Sequence, residues 1–264
     1  MIDQLLMSWE EYNKKESGLS RPYIFTIRNP KKYLLFFGAR HVYDPKDLQF
    51  NQLREALVKF LKETKENNCL VLVEGNRFLA NSEEEGIKHG GEGGFITFLA
   101  NQKNIPVVSP EPPFLSLYQE LTKQFPREYI YYMRMAQWLA QWHRLLDENK
   151  QGFEKYFSEG YLKGYKEEFG WSDFDFSIEN IKIIHKNLFN NDFDGNNGDF
   201  FYQISRPDKE ISIINEVARA ASLIRNIYIV EQIKKYWDDG KNIFIVYGSG
   251  HAIIQEPALR ALLK

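Results

Sequence analysis

The chain has 264 residues, with 34 Lys and Arg against 36 Asp and Glu and a formal net charge of -2. It lacks the positive surplus with which a protein holds a phosphate backbone, so no nucleic-acid partner is expected. Hydrophobic residues at 43% and charged residues at 27% are globular values, and the length suits one large core, which predicts a single domain over residues 1–264.

The opening stretch, Met1 to Lys15, carries Asp3, Glu10 and Glu11 and has no basic start ahead of an apolar run, unlike a secretory signal. Tyr23 to Arg28 and Lys32 to Phe37 are β-rich runs separated by Asn29-Pro30-Lys31, the residue types of a hairpin turn. The longest apolar run, Tyr33 to Ala39, is far short of the about 18 to 20 residues that cross a bilayer, so no membrane partner is expected. Asp44-Pro45 breaks the chain, and Leu48, Leu53, Leu57, Phe60 and Leu61 recur at helical spacing towards Asn67. Leu70 to Val73 is a short unalternated run, the pattern of a parallel strand covered on both faces. Cys69 leads into it and reads as a buried strand residue; as the single cysteine it excludes an intrachain disulfide framework and agrees with a cytoplasmic protein. Lys88 to Gly94 reads as a loop, Phe95 to Asn101 as a helix, and Ile105 to Val108 as a third parallel strand. From Phe114 to about Phe189 the pattern is helical and rich in Tyr, Phe and Trp. Asn190 to Asp199 is a polar loop, Ile211 to Trp237 a long helix, Ile243 to Tyr247 the last strand, and a closing helix starts at about Glu256. The expected fold is α/β: a mostly parallel sheet with an N-terminal hairpin, flanking helices, and a helical insertion or cap at about residues 114–189.

Two strands end alike. Leu34 to Phe37 runs into Gly38-Ala39-Arg40-His41, and Phe244 to Tyr247 runs into Gly248-Ser249-Gly250-His251. In each, a glycine frees the backbone to leave the strand, and a histidine three positions later stands above the carboxyl edge of the sheet, where open α/β sheets bind ligands. The strand Leu70 to Val73 delivers Glu74, Gly75, Asn76 and Arg77 to the same edge. His41, Glu74 and His251 are therefore expected to meet, with Glu92 the better of two approaching loop residues over His89. His143 and His185 lie in helical stretches and read as core or surface helix positions. Asn190, Asp192, Asp194 and Gly195 imitate half of a calcium loop, but Phe201 stands where the bidentate glutamate belongs. Gly248-Ser249-Gly250 lacks both the third glycine of a dinucleotide loop and the spacing of a nucleophile elbow.

The order of these parts resembles a superfamily that includes the TraB/PrgY-like and TIKI proteins, erythromycin esterases and ChaN-like haem-binding lipoproteins. The parts are Gly38 to His41, Glu74 with Arg77, the Arg225-Asn226 pair before the last strand, and Gly248 to His251. They cover roughly the first 115 and last 60 residues. Arg40 replaces a small or hydroxyl residue often found within the first motif of that superfamily and brings extra positive charge, which would reject a metal or favour an anionic substrate. The resemblance implies a hydrolase, an esterase or a peptidase, acting on a small molecule or a peptide.

Two versions of the chemistry follow. In one, His41, Glu74 and His251 hold zinc, manganese or cobalt, and Glu92 shuttles the proton. In the other, His41 is the base, Glu74 orients it and Arg225 stabilises the oxyanion. Arg40, Arg77 and Asn226 are the expected substrate-binding residues. The alternative is a non-catalytic protein of the same fold: either a regulatory domain or a binder of a flat, haem-like ligand under the rings of Tyr129, Tyr131, Tyr132, Trp138 and Trp142.

Overall fold

The computed structural model describes residues 1–16, 18–75, 77–145, 152–157 and 163–264. They divide into two compact units, Met1–Glu111 with Arg225–Lys264, and Pro112–Ile224. The first unit opens with a short 3-10 turn, Ile2–Leu5, and α1, Trp9–Glu16. Next come β1 (Tyr23–Arg28), β2 (Tyr33–Ala39), α2 (Gln49–Thr64), β3 (Cys69–Val73), α3 (Glu83–Gln102) and β4 (Val107–Val108). The second unit holds α4 (Phe114–Thr122), α5 (Arg127–Arg144), α6 (Phe153–Tyr156), α7 (Lys163–Phe169), α8 (Ile178–Phe189) and α9 (Gly198–Ile204). The long α10, Ile213–Asp238, begins in the second unit and ends in the first, which β5 (Asn242–Gly248) and α11 (Ser249–Leu262) complete.

The first unit is α/β, built on a five-stranded sheet in the order β1-β2-β5-β3-β4. Only the β1–β2 hairpin is antiparallel; β2–β5, β5–β3 and β3–β4 are parallel. Every residue of β2, β3 and β5 is buried, as unalternated apolar runs require, whereas edge strand β1 alternates buried and exposed positions towards its end. One face of the sheet, with Leu35, Phe37, Val71, Val73 and Phe244, packs on Phe50, Leu53, Leu57 and Phe60 of α2 and Phe95 and Leu99 of α3. The other, with Phe36, Leu72, Ile245 and Tyr247, packs on Ile229, Ile233 and Trp237 of α10 and Ala252 and Leu259 of α11.

Three local expectations are corrected. Residues 88–94 are not a loop: they lie inside α3, which bends at Gly91, where φ is 55° and ψ -141°. That conformation is open to glycine and essentially closed to other residues. The closing helix begins at Ser249, not near Glu256, and Pro257 lies well inside it. Asp199 opens no further loop but sits in the first turn of α9, which Asn197 caps by accepting from the Phe200 amide at 3.1 Å.

In the second unit the helical expectation for residues 114–189 holds where the chain is described; residues 146–151 and 158–162 lie outside the described residues. Its core takes in Tyr131, Tyr132, Trp138 and Trp142, four of the five rings considered as a ligand cap. Trp138 is stacked on Tyr156 at 4.2 Å, and Tyr131 meets Phe169, Phe174 and Phe176 edge-on. Among the described residues no helix is long and apolar enough to cross a membrane.

Candidate functional site

Within the first unit, three parallel strands end at one edge of the sheet and carry the expected group there. Residues Ala39 and Gly248 pair at the last rung of β2 and β5, so His41 and His251 leave the sheet as neighbours. Glu74 follows β3, and its amide donates to the Val246 carbonyl at 3.2 Å. The Glu74 carboxylate lies between the two imidazoles, with Oε2 at 3.9 Å from His41 Nε2 and Oε1 at 3.6 Å from His251 Nε2.

The far sides of both rings are tied down. His41 Nδ1 donates to Glu92 Oε1 at 2.6 Å, and His251 Nδ1 donates to Asn226 Oδ1 at 2.7 Å. Asn226 is buried, and the same oxygen accepts from Gln255 Nε2 at 2.7 Å, which assigns it as an acceptor and places the His251 proton on Nδ1. Both histidines, when neutral, therefore turn an unprotonated Nε2 towards the Glu74 carboxylate.

Glu92 reaches His41 because of the bend at Gly91. The kink directs the following residue out of the helical path, and Gly91 packs so closely under the loop after β2 that a Cβ would stand 3.2 Å from the Val42 carbonyl oxygen. The motif glycines act by close approach and not by unusual dihedrals, since neither adopts positive φ. A Cβ on Gly38 would lie 2.7 Å from the Ala252 Cβ and 2.8 Å from the Tyr23 oxygen; one on Gly248 would lie 2.8 Å from His41 Nε2 and 3.3 Å from Glu74 Oε2.

Sequence reasoning missed Glu111. It lies three residues beyond the end of β4, and it takes Arg225 in a two-point contact, from Nε at 3.0 Å and Nη2 at 2.9 Å. Arg225 Nη2 also reaches Glu74 Oε1 at 3.3 Å, and the Gly248 amide donates to Glu74 Oε2 at 2.7 Å. Burial pushes the Glu74 carboxyl up, but the positive charges of His251 and His41, when those rings are protonated, with that of Arg225 and the Gly248 amide, overcome it and hold the group well below the ordinary carboxylate range. For His251 burial dominates and lowers the pKa, so the neutral ring is favoured despite Glu74. Tyr247 is fully buried beside this cluster; burial, with Glu111 and Glu74 next, raises its pKa and keeps it a phenol.

The remaining expected residues go elsewhere. Arg40 turns its guanidinium to Asp47, at 2.9 and 3.1 Å, and Arg77 donates to the Val107 carbonyl at 3.0 Å; neither bonds to the His41, Glu74 and His251 group. Asn76, just before Arg77, lies outside the described residues. His89 stands against Phe78, while His143 donates to the Gly195 carbonyl at 2.9 Å and His185 lies in the second core. Asp194 caps the Asn196 amide at 2.9 Å, a turn contact.

The donor types of His41, Glu74 and His251 fit a divalent ion, and each imidazole has the outer partner that metal-bound histidines have. Among the described residues, however, no three His, Cys, Asp or Glu side chains are drawn close enough to hold one. In comparisons with known proteins, the chain matches no family model, no curated protein and no solved structure.

Proposed function

We propose that the protein is a hydrolase that activates water in the space bounded by His41, Glu74 and His251. The observation that carries the reading is the orientation of the two rings: Glu92 and Asn226 hold the Nδ1 protons, leaving both Nε2 atoms facing one carboxylate. The order of motifs, similar to that of the TraB/PrgY-like and TIKI proteins and erythromycin esterases, points the same way.

The two histidines have different electrostatic backing, which divides their roles. A carboxylate behind His41 stabilises the imidazolium that forms when Nε2 takes a proton; a neutral amide and burial behind His251 keep that ring neutral. His41 is then the base. Water gives a proton to His41 Nε2 as its oxygen bonds to the carbonyl carbon of an ester or amide. The carbonyl π pair moves to oxygen, and when that pair returns the bond to the leaving group breaks and the leaving group takes the proton from His41. Glu74 and His251 position the water. Arg225, shared between Glu111 and Glu74, keeps Glu74 ionised and is already neutralised, which argues against its serving as the oxyanion donor. A divalent ion held by His41, Glu74 and His251 would supply a more acidic water and a Lewis acid at the same place.

The test is hydrolysis of a panel of nitrophenyl esters and fluorogenic peptides by the parent, H41A, E92Q and H251A, with elemental analysis of each preparation. Loss of about 100-fold or more in kcat/KM for H41A and E92Q is expected. Equal rates in all four proteins would overturn the reading. Zinc, manganese or cobalt that copurifies with the parent and is lost from H251A would select the metal version; in its absence, a thermal shift on adding the ion would do so.

A further inference from the structure

Among the described residues, the base proposed above sits on a stretch of chain with no strand neighbour. Pairing of β2 with β1 ends at Gly38, and pairing with β5 ends at Ala39. Arg40 is the next residue, and His41 follows it. A strand end that runs off its sheet loses the ladder that fixed its direction, and its backbone groups need other partners.

Gln49, the first residue of α2 and fully buried, supplies both. Its side-chain Oε1 accepts from the Arg40 amide at 2.7 Å, and its Nε2 donates to the Arg40 carbonyl at 2.8 Å. A primary amide is the one uncharged side-chain group that offers a donor and an acceptor side by side, so Gln49 stands in for the missing strand. A second set of bonds braces the same bracket. Asp47 accepts from the Gln49 amide at 2.8 Å and from the Arg40 guanidinium at 2.9 Å, which closes residues 40–49 into a stitched loop.

We infer that Gln49 is the positioning residue for His41: by replacing a strand partner at Arg40 it aims the imidazole so that Nδ1 meets Glu92 while Nε2 faces Glu74. Its importance to catalysis rests on the hydrolase reading above; its effect on the ring does not. Gln49 touches no reacting atom. The shape of the side chain explains the choice of residue: Glu keeps the acceptor and loses the donor, Asn has the amide but not the reach, and Met has the length with neither group.

The experiment compares parent, Q49M and Q49E, with H41A and E92Q as references, by nitrogen-15 NMR of labelled histidine and by hydrolysis of the esters or peptides that the parent cleaves. In the parent, His41 Nδ1–H should give a low-field proton signal that H41A and E92Q lack. Q49M should lose or shift that signal, with kcat falling about 100-fold and KM within about threefold, as expected when a catalytic group is misplaced by about an ångström. Q49E should fall between, and serves as the folded test if Q49M does not fold. A Q49M or Q49E protein with the parent's His41 Nδ1–H signal, whatever its thermal midpoint, overturns the inference and assigns Gln49 to stability alone. If hydrolysis is indifferent to H41A while Q49M still moves the His41 signal, the hydrolase reading fails and the positioning role stands.

Discussion

Gly38 and Gly248 hold matching places in two copies of one motif, yet a methyl group would have different consequences at each. At Gly38 it would run into the Tyr23 backbone oxygen of β1 and into Ala252 of α11, and these can step aside only if β1 and α11 move away from β2. G38A should therefore cost stability, about 1 to 3 kcal/mol, measured as a lower denaturant midpoint. At Gly248 the obstacles are the tips of His41 and Glu74, which rotate away at small cost to folding. G248A should keep a midpoint close to the parent's while lowering kcat/KM by at least tenfold, because the displaced groups are the proposed base and its facing carboxylate. Comparable loss of stability in the two variants would show that Gly248 is a packing glycine as well. The sequence made both positions visible, since Gly-x-x-His after an apolar run is legible. The reason for the glycines was not, because close approach depends on what the other strand and α11 bring, and only the folded chain has those neighbours.

At the scale of elements, legibility follows how much local sequence decides. The runs of β2, β3 and β5 announce themselves because a strand covered on both faces must be apolar throughout, and all of their residues are buried. The histidine-bearing start of α11 was hidden because Ser249 and Gly250 are weak helix formers, and Pro257 imitates a first helical position. Glu111 was hidden because β4 is only two residues long and is followed by prolines at 110, 112 and 113, so nothing local marks it as a strand-end carboxylate. The glycine-rich stretch before Phe95 reads as a loop by composition, although its amides and carbonyls are used within α3. The bend there gives the sharpest prediction at this scale. Gly91→Ala places a side chain where φ is 55° and ψ -141°, which costs about 1 to 3 kcal/mol or forces α3 straight. A straightened helix turns Glu92 away from His41. G91A should therefore lower the thermal midpoint and also abolish the low-field His41 Nδ1–H proton signal, since the carboxylate that accepts that proton is gone. An unchanged His41 signal would mean that the bend is irrelevant to the site.

For the whole molecule, the groups whose pKa burial displaces set the limits of stability. His185 lies in the second core among Phe189, Phe193 and Phe200, accepting from the Tyr132 hydroxyl at 2.6 Å and donating to Asn191 at 2.7 Å. Burial lowers its pKa, with Asn191, Asp192 and Lys186 as smaller influences. The unfolded chain takes up that proton near pH 6.5 and the folded chain only lower, so the stability due to the neutral ring is complete above about pH 6.5 and is lost as the pH falls towards the folded value. The tyrosines act in the opposite sense. Burial raises the pKa of Tyr131, Tyr132 and Tyr247, and burial with Glu256 raises that of Tyr23 to about 12. Their contribution is complete below about pH 10 and is lost as the pH rises towards the folded values, because the unfolded chain ionises first. Denaturant midpoints measured from pH 5 to 11 should accordingly form a plateau between about pH 7 and 9.5 with losses on both sides. H185Q keeps a polar amide in the core but cannot titrate, so it should start from a lower plateau and fall less between pH 6.5 and 5 than the parent. Equal acid-side slopes in the two proteins would remove His185 as a source of that loss and leave it to His251, whose pKa burial also lowers, and the carboxylates.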